Sequence, residues 1–211
     1  MRHLKIAALA SGSGSNLQSI LDAIEDGTLN AEVSVVIASK PHIPVLDRAA
    51  RYGIPVVVIA RKHYKEDIEN FSLAIERALE PYGVDVVVLC GFLSFLSERF
   101  CKLYEGRLFN IHPSLLPAFG GQGAYGIKVH RMVLAHGAKV SGCTVMFVDQ
   151  GHDTGPIIVQ KCVPVMEDDT EDTLAARVME AERQAYPEAL RLFGEERLQI
   201  VDNRVRISRK D

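Results

Sequence analysis

Short apolar runs rich in β-branched residues alternate with helix-forming stretches through the first half of this chain. The apolar runs cover residues 4–9, 33–38, 54–60 and 84–90, and the helical patterns cover residues 16–24, 43–52, 65–82 and 96–104. This alternation is typical of βαβ units, in which helices connect the strands of a parallel sheet. The run at 84–90 is apolar on both of its faces, so it predicts a central strand that helices cover on both sides.

The second half extends this pattern without a visible break. Further strands are predicted at residues 142–149 and 157–165, and a long helix is predicted from about Glu171. No repeat, low-complexity segment or linker separates the two halves. The sequence therefore predicts one α/β domain over residues 1–211, with a Rossmann-like, mostly parallel sheet and helices on both faces.

The balance of charge and hydrophobicity excludes several classes of protein. With 47% hydrophobic residues the chain can bury a sizeable core, and 24 basic against 27 acidic residues leave a net charge of -3. Neither sign forms a long run, so we expect no nucleic-acid partner and no membrane surface. The apolar stretch near the N-terminus is too short for a signal peptide, and we expect a cytoplasmic protein.

The cysteines show no CxxC spacing and mostly lie in apolar stretches; they are Cys90, Cys101, Cys143 and Cys162. A thiol in such a stretch behaves as a small hydrophobic group. We therefore expect four reduced cysteines in the core.

A loop of small residues, 11–15, joins the first strand to the first helix. Backbone N–H groups in such a loop can approach an anion, and the helix N-terminus adds partial positive charge. A dinucleotide-binding loop is the obvious rival, but the third glycine of GxGxxG is replaced by Leu17, and Lys40 stands where an acidic residue would hold a ribose. The loop thus favours a phosphate site, with a flexible turn as the open alternative.

Polar residues also mark the end of a strand candidate that begins at Leu108. Asn110 and His112 are two residues apart, so they lie on one face of that strand. A carboxamide can stabilise a developing oxyanion, and an imidazole can carry a proton near neutral pH. A satisfied structural histidine is the alternative at this stage.

A polar, glycine-flanked loop at residues 148–157 lies between two apolar strands. Its carboxylates could orient His112. The alternative is an ordinary turn in which an aspartate caps local N–H groups, because Asp153-Thr154-Gly155-Pro156 has suitable turn chemistry.

Together these segments resemble the phosphoribosylglycinamide formyltransferases, which are folate-dependent enzymes of purine synthesis. The matching stretches are residues 11–18, 86–92, 110–117, 153–160 and 163–165. The stretch Asn-Ile-His-Pro-Ser-Leu-Leu-Pro is specific to folate formyltransferases and their hydrolase relatives, and Gly-Ser-Asn after the first strand narrows the resemblance to the glycinamide branch.

This resemblance implies transfer of a formyl group from 10-formyltetrahydrofolate to the amine of glycinamide ribonucleotide, without a metal. It assigns catalysis to Asn110, His112 and Asp153 and the substrate phosphate to Gly14, Ser15 and Asn16. It assigns the glycinamide end to Met179 and Glu182. It assigns the folate pterin to Leu93, Ser94, Phe95 and Leu96, and to Asn110, Asp149, Gln150, Gly151, His152 and Asp153.

The resemblance also implies direct attack by the amine, so no nucleophilic serine or cysteine is needed. Asn110 and a protonated His112 would stabilise the oxyanion, and Asp153 would favour the imidazolium. Two positions depart from the family pattern: Ser94 and Ile68 stand where arginine is common. The stretch 119–130 is longer than in the shorter family members and suggests a flap over the folate, which leaves the placement of His130 open.

Three other functions remain in view. A formyltetrahydrofolate hydrolase would share the Asn, His and Asp set but is expected to carry an added N-terminal domain. A methionyl-tRNA formyltransferase is expected to carry a C-terminal RNA-binding domain, and a phosphoribosyl-binding module would leave the three polar residues unexplained. We expect small-molecule partners only, and a monomer or a homodimer.

Overall fold

The computed structural model describes residues 2–209, so residues 1, 210 and 211 of the predicted domain lie outside the described residues. The chain divides into two compact units, of which the first ends at Asn110 and the second begins at Ile111. The single domain over residues 1–211 therefore stays a prediction.

The first unit is built from parallel strands connected by helices. Its strands pair in the order β3-β2-β1-β4-β5, and every pair is parallel. The strands are β1 (Leu4–Ala10), β2 (Ala31–Ala38), β3 (Val56–Val58), β4 (Val86–Cys90) and β5 (Leu108–His112), whose last two residues belong to the second unit. The helices are α1 (Ser15–Glu25), α2 (Pro44–Arg51), α3 (Ile68–Leu79) and α4 (Glu98–Leu103).

Burial follows the pattern that the sequence predicts for this unit. All five residues of β4 are buried, because strands flank it on both edges and apolar side chains cover its faces. The glycines after the helical patterns, Gly27, Gly53, Gly83 and Gly106, all have positive φ. Gly27 and Gly53 directly follow the C-caps of α1 and α2, so their predicted role in ending helices is confirmed. Gly83 instead follows a 3-10 turn after α3, and Gly106 lies two residues beyond the C-cap of α4.

The second unit combines an antiparallel strand pair with a long helix. Its elements are α5 (Ile127–Ala135), β6 (Val140–Phe147), β7 (Ile157–Pro164), α6 (Glu171–Gly194), β8 (Leu198–Val201) and β9 (Arg204–Ile207). Strands β6 and β7 are antiparallel neighbours, and β8 and β9 form a separate two-stranded sheet. Helix α6 begins at Glu171 as predicted, with Thr170 accepting a hydrogen bond from the Thr173 N–H.

The main sheet has seven strands in the order β3-β2-β1-β4-β5-β6-β7. The predicted α/β class with a mostly parallel sheet is confirmed, and so is the central position of β4. No helix in the described part of the chain is long and apolar enough to cross a membrane.

Three expectations differ from the structure. The run at 54–60 gives only the short edge strand β3, with Val56 and Val58 exposed. Residues 127–130 begin helix α5 and are not flap residues. The expectation of four core cysteines is wrong for Cys162, because β7 is the last strand of the sheet and this side chain is exposed.

Candidate active site

The loop after β1 presents a helix N-terminus in the first unit. Gly14 precedes α1 with a left-handed backbone (φ 69°), and in the described structure no side chain caps the helix here. The first N–H groups of a helix have no partner within the helix and carry partial positive charge. Ser15 and Asn16 are half-buried at this end, so the loop can bind an anion such as a phosphate.

Helix α2 packs against this loop. A Cβ on Gly14 would lie 2.6 Å from Cγ2 of Val45, so a side chain has no room there. The Val45 N–H donates to the Gly12 carbonyl at 3.3 Å, and Nε of Arg48 donates to the Ser13 carbonyl at 3.4 Å. The packing brings a guanidinium to the loop, which the sequence reasoning missed because nothing in the local pattern indicates which loop Arg48 contacts.

A second loop follows β4 and lies beside the first. The strand order reverses between β1 and β4, and open α/β sheets bind ligands at such a point. Oγ of Ser11 accepts a hydrogen bond from the Leu93 N–H at 3.0 Å, which ties the two loops together. Leu93 and Phe95 are 58% and 55% exposed, while Ser94 and Leu96 are half-buried. This apolar, accessible surface suits a flat aromatic ligand.

In the second unit, His112 is buried at the end of β5 and contacts two oxygen atoms. Its Nε2 lies 2.9 Å from the carbonyl oxygen of Phe119, and its Nδ1 lies 3.5 Å from Oδ2 of Asp153. The same Oδ2 accepts a hydrogen bond from the Gly121 N–H at 3.0 Å. A carbonyl only accepts, so the Phe119 contact requires a proton on Nε2. Both ring nitrogens of His112 therefore have an oxygen partner within the second unit.

The loop after β6 gives its two aspartates different roles. Asp149 accepts hydrogen bonds from the Gly151 N–H at 2.9 Å and from the Thr154 hydroxyl at 2.8 Å, as an aspartate in a turn does. Asp153 has a positive φ of 58° and directs its carboxylate to His112. The predicted turn chemistry belongs to Asp149. The remaining predicted folate residues of this loop, Gln150, Gly151 and His152, are exposed.

His130 lies on α5 and is buried. Its Nδ1 has no hydrogen-bond partner among the described residues. Burial lowers the pKa of His130 below its ordinary value, and the neighbouring His112 lowers it further. His130, whose placement the sequence left open, is thus a buried, neutral imidazole close to His112.

Of the remaining predicted site residues, Met179 and Glu182 lie on α6 and Asn110 lies on β5. Met179 is half-buried and Glu182 is buried. The Cys143 thiol lies close enough to Glu182 that burial first and the carboxylate second raise its pKa to about 12. Asn110 is half-buried.

Comparison with known proteins decides the family. Residues 4–190 match the formyl transferase family. This chain belongs to the formyl transferase family.

Similar proteins come from plants, animals and bacteria. The chain is 41% identical to the chloroplastic phosphoribosylglycinamide formyltransferase of Vigna unguiculata over 94% of its own length and 63% of that protein. It is 42% identical to the human trifunctional purine biosynthetic protein adenosine-3 over 94% of its length and 19% of that protein. Glycinamide ribonucleotide transformylase 1 of Symbiobacterium toebii superposes with a TM-score of 0.91 at 43% identity, over 97% of this chain and 94% of that one. The chain therefore spans less than two thirds of the length of each of these two curated relatives.

In this member of the formyl transferase family the structure brings the predicted residues together in two groups. The loop after β1 and residues Leu93 to Leu96 adjoin in the first unit, and His112 and Asp153 adjoin in the second. Sequence reasoning missed Phe119 and Gly121, which contribute through backbone groups that every residue has. Their only signal is the glycine-rich composition of residues 120–126.

Proposed function

We propose that this chain transfers the formyl group of 10-formyltetrahydrofolate to the amine of 5'-phosphoribosylglycinamide, the formylation step of de novo purine synthesis. Membership of the formyl transferase family supports formyl transfer. The structural observation that most supports this proposal is the contact between Asp153 and His112, which lies at the end of β5. Two close relatives are named for this activity.

We assign the substrate phosphate to the loop of the first unit, through Gly14, Ser15 and Asn16. The uncapped N-terminus of α1 supplies N–H donors, and the guanidinium of Arg48 adds positive charge beside them. We assign the glycinamide end to Met179 and Glu182, because a buried carboxylate can pair with an ammonium group.

We assign the pterin of the folate to residues Leu93 to Leu96 and Asp149 to Asp153. Leu93 and Phe95 give the first segment an exposed apolar surface. In the second segment the Asp149 carboxylate accepts a hydrogen bond from the Gly151 N–H and so closes the loop. The folate supplies the formyl carbon, and negative charge develops on the formyl oxygen when an amine attacks it.

The residues of this chain then have separate tasks. The carboxamide of Asn110 donates to the developing oxyanion, and removing one such donor typically costs about 3 to 4 kcal/mol of barrier. The Nε2 proton of His112 is already shared with the Phe119 carbonyl, so a substrate oxygen or nitrogen must compete with that carbonyl to receive it. Asp153 holds the opposite side of the ring and fixes its orientation. The cytoplasmic location and the monomeric or homodimeric state stay predictions.

A single-turnover assay tests this proposal directly. Protein in excess of 10-formyltetrahydrofolate is mixed with and without glycinamide ribonucleotide, and formylated product is measured by mass spectrometry. We expect formyl transfer only with the ribonucleotide, and little transfer by His112→Asn. Consumption of the folate in the absence of the ribonucleotide would instead establish a hydrolase. No consumption under either condition would leave a phosphoribosyl-binding module.

A further inference from the structure

The chain that follows His112 is held by side chains of β6 and β7 that the proposed reaction does not use. Thr144 on β6 is fully buried, and Gln160 is its register partner on β7. The hydroxyl of Thr144 donates to the Ser114 carbonyl at 2.7 Å. It accepts from the Leu116 N–H at 3.0 Å and from the Gln160 amide at 2.9 Å. These three bonds use the full capacity of a hydroxyl, which has one proton and two lone pairs.

The same contacts satisfy both backbone groups of Leu116. Its N–H is bound by Thr144, and its carbonyl accepts from the Gln160 amide at 3.0 Å. Leu116 is buried, and leaving buried backbone groups unpaired is costly. Thr144 on β6 and Gln160 on β7 therefore hold the backbone in place at Leu116.

A tight reversal carries this fixed path to His112. The Ala118 N–H donates to the Leu115 carbonyl at 3.1 Å, and the Ser114 hydroxyl donates to the Ala118 carbonyl at 2.6 Å. The reversal ends at Phe119, whose carbonyl oxygen lies 2.9 Å from Nε2 of His112. A shift of the anchored segment would move this carbonyl away from the imidazole.

We propose that Thr144, assisted by Gln160, is a positioning residue that sets the ring orientation and the Nε2 proton of His112 through the segment 114–119. This inference rests on the proposed function, because it concerns the histidine assigned to proton transfer. A purely structural role for the same bonds would affect stability without affecting the imidazole. The 15N chemical shifts of the His112 ring therefore distinguish a positioning role from a purely structural one.

The test compares Thr144→Val with Thr144→Ser in the full chain. Valine keeps the shape but has no hydroxyl, whereas serine keeps all three hydrogen bonds. We expect Thr144→Val to lower kcat by roughly 10- to 100-fold, since misplacing a reacting group by about 1 Å has effects of this size, with both KM values within about twofold. Thr144→Ser should stay within about threefold of the natural chain in kcat, because its hydroxyl keeps the anchor. Gln160→Leu should follow Thr144→Val in direction with a smaller effect.

A spectroscopic readout separates positioning from stability. The 15N shifts of the His112 ring, assigned by their loss in His112→Asn, should change in Thr144→Val and not in Thr144→Ser. The control is Leu192→Ala, which removes buried apolar atoms from α6 and lowers the melting temperature without removing a hydrogen bond of residues 114–119.

Each outcome decides the proposal. Unchanged His112 nitrogens in Thr144→Val, or a loss of kcat no larger than that of Leu192→Ala, would overturn it. If Thr144→Val does not fold, unchanged His112 nitrogens in Gln160→Leu would overturn it equally. If the natural chain transfers no formyl group, the proposed function fails, and the 15N shifts still decide whether Thr144 orients His112.

Discussion

Nδ1 of His112 lies 3.5 Å from Oδ2 of Asp153, and that same oxygen accepts the Gly121 N–H at 3.0 Å. Two residues earlier in the chain, the carbonyl oxygen of Phe119 lies 2.9 Å from Nε2 of the same imidazole. One short segment, residues 119–121, therefore contacts both side chains of the proposed catalytic pair. Under the proposed function, the Phe119 carbonyl holds the Nε2 position of His112 that a substrate atom would have to bind.

The first prediction is that Asp153→Asn folds normally and loses most of its turnover. Asparagine tolerates the left-handed backbone of residue 153 (φ 58°), so the turn should persist. The variant lacks the negative charge that faces His112, and losses of general acid-base catalysis are usually about 100-fold to 10,000-fold. The measurements are kcat and the circular dichroism spectrum. Turnover close to that of the natural chain would leave Asp153 with a turn role only.

The second prediction is that Gly14→Ala raises the KM for glycinamide ribonucleotide much more than the KM for the folate. The added Cβ would lie 2.6 Å from Val45, so the loop must move away from its present path. Gly27→Ala is the matched control, because Gly27 also has a positive φ but nothing within 4 Å of its added Cβ. Both variants carry backbone strain of roughly 1 to 2 kcal/mol. Equal changes in KM for the two substrates, or equal effects of the two variants, would count against the phosphate assignment.

The third prediction is that Glu182→Gln weakens binding of glycinamide ribonucleotide and leaves binding of a folate analogue nearly intact. Glu182 is buried on α6, and a neutral amide of the same shape cannot pair with an ammonium group. Isothermal calorimetry with each ligand measures the effect. Unaltered affinity for the ribonucleotide would return Glu182 to a structural role beside Cys143.

The fourth prediction is that His130 makes the protein less stable in acid. Burial lowers the pKa of His130 in the folded state, whereas an unfolded histidine titrates near about 6.5. The unfolded state therefore binds a proton first, so the stability from neutral His130 is present above about pH 6.5 and is lost as the pH falls toward the folded pKa. His130→Gln should reduce the drop in melting temperature between about pH 7.5 and 5.5. The exposed His63→Gln serves as control, and equal drops in both variants and the natural chain would refute the prediction.

The regular elements of the fold follow from the sequence because their causes are local and periodic. Continuous apolar runs predict buried strands such as β4, and the glycines at positive φ predict where the helices end. Helix α5 was missed because glycines at 120, 121, 123 and 126 hide its start in a segment that suggests a loop. Strand β3 is shorter than its apolar run because the Ile54 N–H donates to the Ala49 carbonyl of α2 and Pro55 has no N–H to donate.

The candidate site was predictable in its side chains and not in its backbone partners. Asn110, His112 and Asp153 carry chemistry that their residue types indicate. Asp149 and Asp153 lie in the same polar loop, and only the three-dimensional path shows that the first closes the turn and the second faces His112. The carbonyl of Phe119 leaves no signal in the sequence, because every residue has one.

The exposure of Cys162 makes this chain suitable for attaching a single reporter group. Cys90, Cys101 and Cys143 are buried, and burial raises the pKa of the Cys90 and Cys143 thiols, so their reactive thiolate forms are scarce. A maleimide dye should therefore add once to the natural sequence, which the mass of the intact adduct would reveal. Cys162 is two residues from Gln160 on β7. Fluorescence from this position can follow the anchoring of residues 114–119 in solution without the removal of any other cysteine.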